Sequence, residues 1–222
     1  MKKIKVSLVL NIITFILITI ATIFMFLGIK FMGGSSLLET EKIAMFKFFT
    51  VDSNILMGLI ALAFAIFEIR LIKGNIKEIP NYMYILKFVG TSAITLTFLV
   101  TLLFLVPQYG VLAMYSNNNL IYHLIAPLLA IISYIVIEKH EVKYKYAFLG
   151  IIPMLLYSIF YVLNIVLHIN EGGLTYAFDF YGFVRGNIYN MFISFPIILL
   201  VSYLISMGLL FLNKKIKQSN NK

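Results

Sequence analysis

The sequence predicts an all-α polytopic membrane protein, a bundle of six transmembrane helices forming one domain over residues 1–222. Three observations predict it. Of the residues, 61% are hydrophobic and 12% charged, with a mean hydropathy of +0.97. Soluble domains hold about 45–50% apolar residues, so lipid must be the solvent for most of this chain. Six apolar runs each reach the ~20 residues that a hydrocarbon core demands. Lysine and arginine also cluster in alternate connectors, as they do where positive loops face the cytoplasm.

The first span is expected over 6–27, behind Lys2, Lys3 and Lys5. It is too long for a signal-peptide core, and no small-x-small cleavage pattern follows it cleanly. Gly33-Gly34-Ser35-Ser36 breaks the helix, and Glu39 and Glu41 lead toward the second span at 46–69. A connector with Gly74, Asn75 and Pro80, surrounded by Arg70, Lys73, Lys77 and Lys87, precedes the third span at 84–106, which should stop at Pro107. Ser116-Asn117-Asn118-Asn119 reads as a connector before the fourth span at 120–137. His140, among Lys139, Lys143 and Lys145, reads as solvated. The fifth span is expected at 146–168 and the sixth at 186–212.

Three basic residues before the first span, four in the second connector, three in the fourth and four after the last span account for 14 of the 18. Lys30, Lys42, Lys47 and Arg185 make up the rest. Both termini are therefore expected in the cytoplasm of a cell-membrane protein, and the net charge of +9 is a topology signal. No nucleic-acid partner is implied. With no cysteine, disulfides and thiol chemistry are excluded. No cofactor motif is present. His123, His168 and Asp52 lack any diagnostic metal-ligand spacing, so no metal is assigned.

This topology brings polar groups to one level at the extracytoplasmic ends of the spans. Thr50, Asp52, Ser53 and Asn54 open the second span in FFTVDSN. His123 and Pro127 lie near the start of the fourth, and Arg185, Asn187, Tyr189 and Asn190 near the start of the sixth. His168 closes the fifth, with Asn164 a turn deeper. Thr50, Ser53, Asn54 and Met57 share a helical stripe, whereas Asp52 points about 200° away from Thr50 and either serves another neighbour or caps the helix. Tyr157, Tyr161, Asn164 and His168 form a stripe expected to face the bundle. Pro127 has no N–H for the His123 carbonyl, which should leave that acceptor free. Thr91, Thr95, Thr97 and Thr101, like Asn11, Thr14 and Thr22, are expected to bond neighbouring helices. The cytoplasmic half holds almost no ionisable residue inside the spans.

On Thr50 in Lys47-Phe48-Phe49-Thr50, on Ser53-Asn54 and on His123-Leu124-Ile125-Ala126-Pro127, the chain resembles the androgen-induced protein and FAR-17a family, which includes the androgen-dependent TFPI-regulating protein. The resemblance implies a six-pass integral membrane threonine hydrolase that cleaves fatty acid esters of hydroxy fatty acids. Thr50 would be its nucleophile and His123 its general base. In that setting Asn54, Asn187 or Arg185 would donate to the developing oxyanion, and Arg185 would alternatively hold a lipid carboxylate or phosphate. Asp52, Ser53, Asn164, His168 and Tyr189 would surround these groups, and a membrane lipid or acyl-chain substrate would enter from the bilayer. Two other readings of the same cluster are a transporter or channel and a non-catalytic membrane sensor or assembly protein. Nothing in the sequence fixes an oligomeric state.

Overall fold

Lipid inverts the usual inside-out rule along the first helix, α1 (Lys2–Leu27). Ser7, Asn11, Thr14, Ile18, Ala21 and Met25 recur at three- and four-residue steps and are all buried, while Val9, Ile16 and Ile23 face outward. The polar and small residues meet other helices and the large apolar ones meet the hydrocarbon. The structure, a computed structural model, describes residues 2–32, 42–138 and 140–219. The expected Gly33–Ser36 break, Glu39, Glu41, Lys139 and Lys222 lie outside the described residues.

Five further helices follow: α2 (Phe49–Ile72), α3 (Asn81–Tyr109), α4 (Asn117–Ile137), α5 (Tyr144–Leu167) and α6 (Ile188–Ser219). Among the described residues there are six helices long and apolar enough to cross a membrane, and no strand. Ser7 of α1 bonds Glu138 and Lys217 of α6 bonds the His140 carbonyl, so the start of α1 and the end of α6 lie at one end of the bundle, here the termini end. Thr50 lies at the other. The spans begin and end within a few residues of those expected at most ends, since length and hydropathy alone set them.

α3 is the central helix, with every residue from Gly90 to Thr97 buried. Small residues let it be crowded. A Cβ on Gly90 would meet Ile60 Cδ1 at 2.8 Å, and one on Gly150 would meet Ser206 Oγ at 2.2 Å and Ser92 Oγ at 2.9 Å. The second case marks a three-way crossing of α3, α5 and α6 at a glycine and two serines. The threonines of α3 divide their bonds. Thr91 and Thr95 donate to the Lys87 and Thr91 carbonyls of their own helix, while Thr97 pairs with Ser53 of α2 at 2.9 Å.

Two prolines are absorbed by widening the helix rather than ending it. α3 was expected to stop at Pro107 but runs to Tyr109, through a π-helical turn at Thr101–Leu105 in which Val106 N–H reaches the Thr101 carbonyl. α4 does the same at Ile121–Ile125, where Ala126 N–H reaches the Ile121 carbonyl. This i→i+5 register moves the gap left by Pro127 back one residue. In this register the donor that Pro127 lacks would have served the Tyr122 carbonyl, and Asn54 Nδ2 donates to that carbonyl instead at 3.1 Å.

The termini end is not the plain lysine-rich face expected. Lys87, placed by the sequence with the connector, is fully buried on α3 and pairs with Glu138, which follows α4. Lys87 Nζ also donates to Ser133 Oγ at 2.9 Å and lies 4.3 Å from the Phe64 ring centroid. Ser7 donates to Glu138 at 2.7 Å, and Asn11 donates to the buried Glu68 at 2.8 Å. Three ionisable groups from separate runs thus meet inside the bundle, because each has a partner that makes burial affordable. His140 is not simply solvated either. It stacks on Tyr84 with centroids 4.1 Å apart, its Nε2 pairs with Asn81 Oδ1 at 2.7 Å, and its carbonyl accepts from Lys217. Packing against Tyr84 desolvates the ring, and its pKa falls below the ordinary histidine value.

Candidate functional site

The first turn of α2 is placed by aromatic packing rather than by a side-chain cap. Phe48 is extended (φ −99°, ψ 128°) and no side chain caps the helix. The Phe48 ring packs 5.2 Å from Phe180 and 5.8 Å from Tyr181, and Phe49 lies 5.3 Å from Tyr157. Tyr157 Oη donates to the Lys47 carbonyl at 2.6 Å, one residue before the chain turns into the helix. The α5 tyrosine stripe therefore faces the bundle and holds the entry of α2.

The segment joining α5 to α6 is organised by Asp179, which is 3% exposed. Its carboxylate accepts from Tyr161 Oη at 2.8 Å and from the backbone N–H groups of Val184 and Arg185 at 3.1 and 2.8 Å. That pull accompanies a left-handed Arg185 backbone (φ 48°), a conformation costly for any residue with a Cβ. It also sets Tyr181 against α2. Tyr181 and Thr50 line the same cavity. Burial pushes the Tyr181 phenol up to about 12, and the polar groups of Thr50 and Phe49 in the first turn of α2 offset part of the effect.

Between these elements lies a cavity of ≈ 290 Å³, near the lower end of ligand-site volumes. Thr50, His123 and Arg185 all line it. Met25, Phe48, Val51 and Leu105 give it an apolar wall, and Asn119, Gln108, Tyr109, Tyr176 and Tyr181 add polar groups. His123 is 4% exposed and its Nδ1 lies 3.0 Å from the Met114 carbonyl. A carbonyl only accepts, so Nδ1 carries the proton and Nε2 keeps the lone pair.

The other expected site residues lie elsewhere. Asn54 is fully buried, and its amide hydrogens go to the Thr50 carbonyl at 2.8 Å and the Tyr122 carbonyl at 3.1 Å. It therefore braces α2 against α4 and has no hydrogen left for an oxyanion. Ser53 pairs with Thr97 of α3, Asn54 with α4, and Thr50 lines the cavity, so the Thr50–Met57 stripe splits between neighbours instead of forming one surface. Asp52 makes no capping bond. With Ser53 it lines a second crevice, beside Pro153 and Tyr157. Asn187 is exposed and accepts from Tyr189 N–H at 3.0 Å, and the Tyr189 ring is 71% exposed. His168 Nδ1 bonds the Asn164 carbonyl at 2.8 Å, and its ring stacks on Phe178. Asn187, Tyr189, Asn164 and His168 do not line the cavity.

The chain matches no family model, no curated protein and no solved structure. The functional argument therefore rests on the geometry of the cavity.

Two residues that line it carried no separate weight in the sequence. Asn119 sits in an Asn-rich stretch that reads as a connector, although its four-residue spacing from His123 was available as a signal. Tyr181 lies in an irregular segment with no periodicity, and only the Asp179 fold of that segment brings it to Thr50.

Proposed function

We propose that this protein is an integral membrane hydrolase that cleaves lipid esters, with Thr50 as nucleophile and His123 as general base. The observation that carries this reading is that Thr50 and His123, from α2 and α4, line the same cavity. A threonine hydroxyl is a poor nucleophile until a base takes its proton, and a neutral imidazole does this near neutral pH. The Met114 bond supports the assignment, because it fixes the tautomer whose Nε2 can accept that proton. The apolar wall of Met25, Val51 and Leu105 suits an acyl chain, and the exposed Arg185 suits an anionic headgroup. The resemblance to the androgen-induced protein family rests on the short motifs around the same two residues and suggests fatty acid esters of hydroxy fatty acids as substrates. The lysine distribution supports cytoplasmic termini in a cell membrane, with the cavity at the opposite face.

The test is labelling of the purified protein with a fluorophosphonate probe. Thr50→Ala and His123→Ala should each abolish labelling while the elution profile of the folded protein is unchanged. Normal labelling of the Thr50→Ala variant would refute the assignment. A transporter is the second reading, and one observation favours it: ionisable groups withdrawn from solvent occur at both ends of the bundle, the half-buried Asp52 at one and the buried Lys87, Glu68 and Glu138 at the other. Proteoliposome flux that survives Thr50→Ala but is lost in Asp52→Asn and Glu68→Gln would favour transport.

A further inference from the structure

The stretch Tyr115–Asn119 buries an unusual density of polar atoms beside the cavity. Tyr115 Oη, Ser116 Oγ, Asn117 Nδ2 and Asn119 Nδ2 are buried without a hydrogen-bond partner among the described residues. Buried donors in native folds are almost always paired, so each of these asks for a reason. Asn117 has a structural one: its Oδ1 accepts from Met32 N–H at 2.7 Å, which ties the end of α1 to the start of α4. Asn119 differs from the others. It lines the cavity with Thr50 and His123, it is 3% exposed, and its Nδ2 meets no acceptor among the described residues. It also precedes His123 by four residues, which puts both side chains on one face of α4.

We infer that Asn119 is the side-chain donor of the oxyanion hole for acyl transfer at Thr50, a role that rests on the ester-hydrolase reading above. In the first step the Thr50 Oγ1 bonds to the ester carbonyl carbon and its proton passes to His123 Nε2. The carbonyl π pair moves onto oxygen, and the resulting oxyanion accepts an N–H from Asn119 Nδ2. When the carbonyl re-forms, the ester C–O bond breaks and the leaving alkoxide takes the proton from His123. Water then attacks the acyl–Thr50 ester, giving up its proton to His123, and collapse returns that proton to Thr50 and releases the fatty acid. Asn119 is not consumed and changes no bond order. It acts because a donor already in place and desolvated needs no reorganisation as charge develops. Asn54, whose hydrogens are both engaged, cannot take this part.

The test is hydrolysis of p-nitrophenyl palmitate by the full chain in detergent micelles, read as kcat and KM, with fluorophosphonate labelling in parallel. Loss of one such donor lowers kcat by about 10²–10³. Because the bond is made in the transition state, KM should stay within about threefold. Asn119→Ala removes the side chain, and Asn119→Asp keeps its size while replacing the donor with an acceptor, so a folding defect in one does not hide the result in the other. Both variants should show the kcat loss with unchanged KM. If either well-folded variant keeps kcat within a few-fold of wild type while Thr50→Ala is inactive, Asn119 is not the donor and the hydrolase reading stands. If wild type neither turns over the ester nor labels at Thr50, the hydrolase reading falls and this role falls with it.

Discussion

Removing Lys87 should destabilise the protein more than removing either carboxylate near it. Lys87 is fully buried, six residues into α3 and so about 9 Å along it. It neutralises Glu138 directly and acts on Glu68 through space. Lys87→Met leaves both carboxylates buried with no cation beside them, and it also removes the contact with Phe64. Breaking a buried pair costs about 3–5 kcal/mol, and a bare charge inside a span about 2.5–3.5 kcal/mol on insertion scales. The two ranges overlap near 3 kcal/mol, about two powers of ten in the folding equilibrium. Glu138→Gln should cost less, about 1 kcal/mol, because Gln still accepts from Ser7 and Glu68 still faces Lys87. Glu68→Gln should be neutral or stabilising. Gln keeps an acceptor for Asn11 and removes the negative charge that one ammonium cannot balance. Unfolding by SDS titration in mixed micelles, followed by far-UV ellipticity since the chain has no tryptophan, ranks the three. A Lys87→Met variant no weaker than Glu138→Gln, or a Glu68→Gln variant as weak as Lys87→Met, would show that the charges are not balanced in this way.

Three further outcomes follow from the packing. Asn54→Ala should cost about 1–3 kcal/mol by stranding the Tyr122 carbonyl, and Pro127→Ala should recover part of it by restoring a donor in the π register; strictly additive SDS-unfolding energies would count against that register. Gly150→Ala should cost about 1–3 kcal/mol by overpacking, less in a Ser206→Ala background where the atom met at 2.2 Å is gone, and equal costs in both backgrounds would exclude that contact as the cause. Because the Tyr181 phenol has its pKa raised from 10.0 to about 12 in the fold, it contributes stability that is intact below pH 10 and lost as pH rises toward 12. Tyr181→Phe should flatten the alkaline limb of a thermal-melt pH profile, and an unchanged limb would remove Tyr181 as its source.

The parts of this fold that were legible in the sequence are those set by local runs. Each span declares itself by length and hydropathy, and the stripe Ser7, Asn11, Thr14 along α1 is visible as a period. The π turns are not, because nothing in TLLFLVP or IYHLIAP differs from an α-helix about to meet a proline. Which carbonyl the proline frees depends on one residue of register, and that decides whether Asn54 is a donor to substrate or a brace. Lys87 read as a connector charge and nothing local marked Glu68 or Glu138 as its companions, since their pairing spans three separate runs. His123 stood out because a histidine in an apolar run is rare, and Thr50 through the polar FFTVDSN stretch and the resemblance it carries; Asn119 did not, because three asparagines in a row look like a loop.

The two ends of the bundle hold comparable amounts of buried polarity but treat it differently, and the difference bears on function. At the termini end Ser7, Asn11, Lys87 and Glu138 all have partners within the network, with Tyr134 Oη the one nearby orphan among the described residues. At the Thr50 end Asn54 Oδ1, Tyr115 Oη, Ser116 Oγ, Asn117 Nδ2 and Asn119 Nδ2 are all unpaired among the described residues. Each unpaired buried group costs about 1–3 kcal/mol, against a total stability of about 5–15 kcal/mol for a typical domain. A closed network with every bond made is what a structural role requires. Of the unpaired groups at the Thr50 end, Asn119 alone lines the cavity that holds Thr50 and His123, and a donor kept dry there, beside a tautomer-fixed histidine, is the arrangement that the proposed ester chemistry calls for.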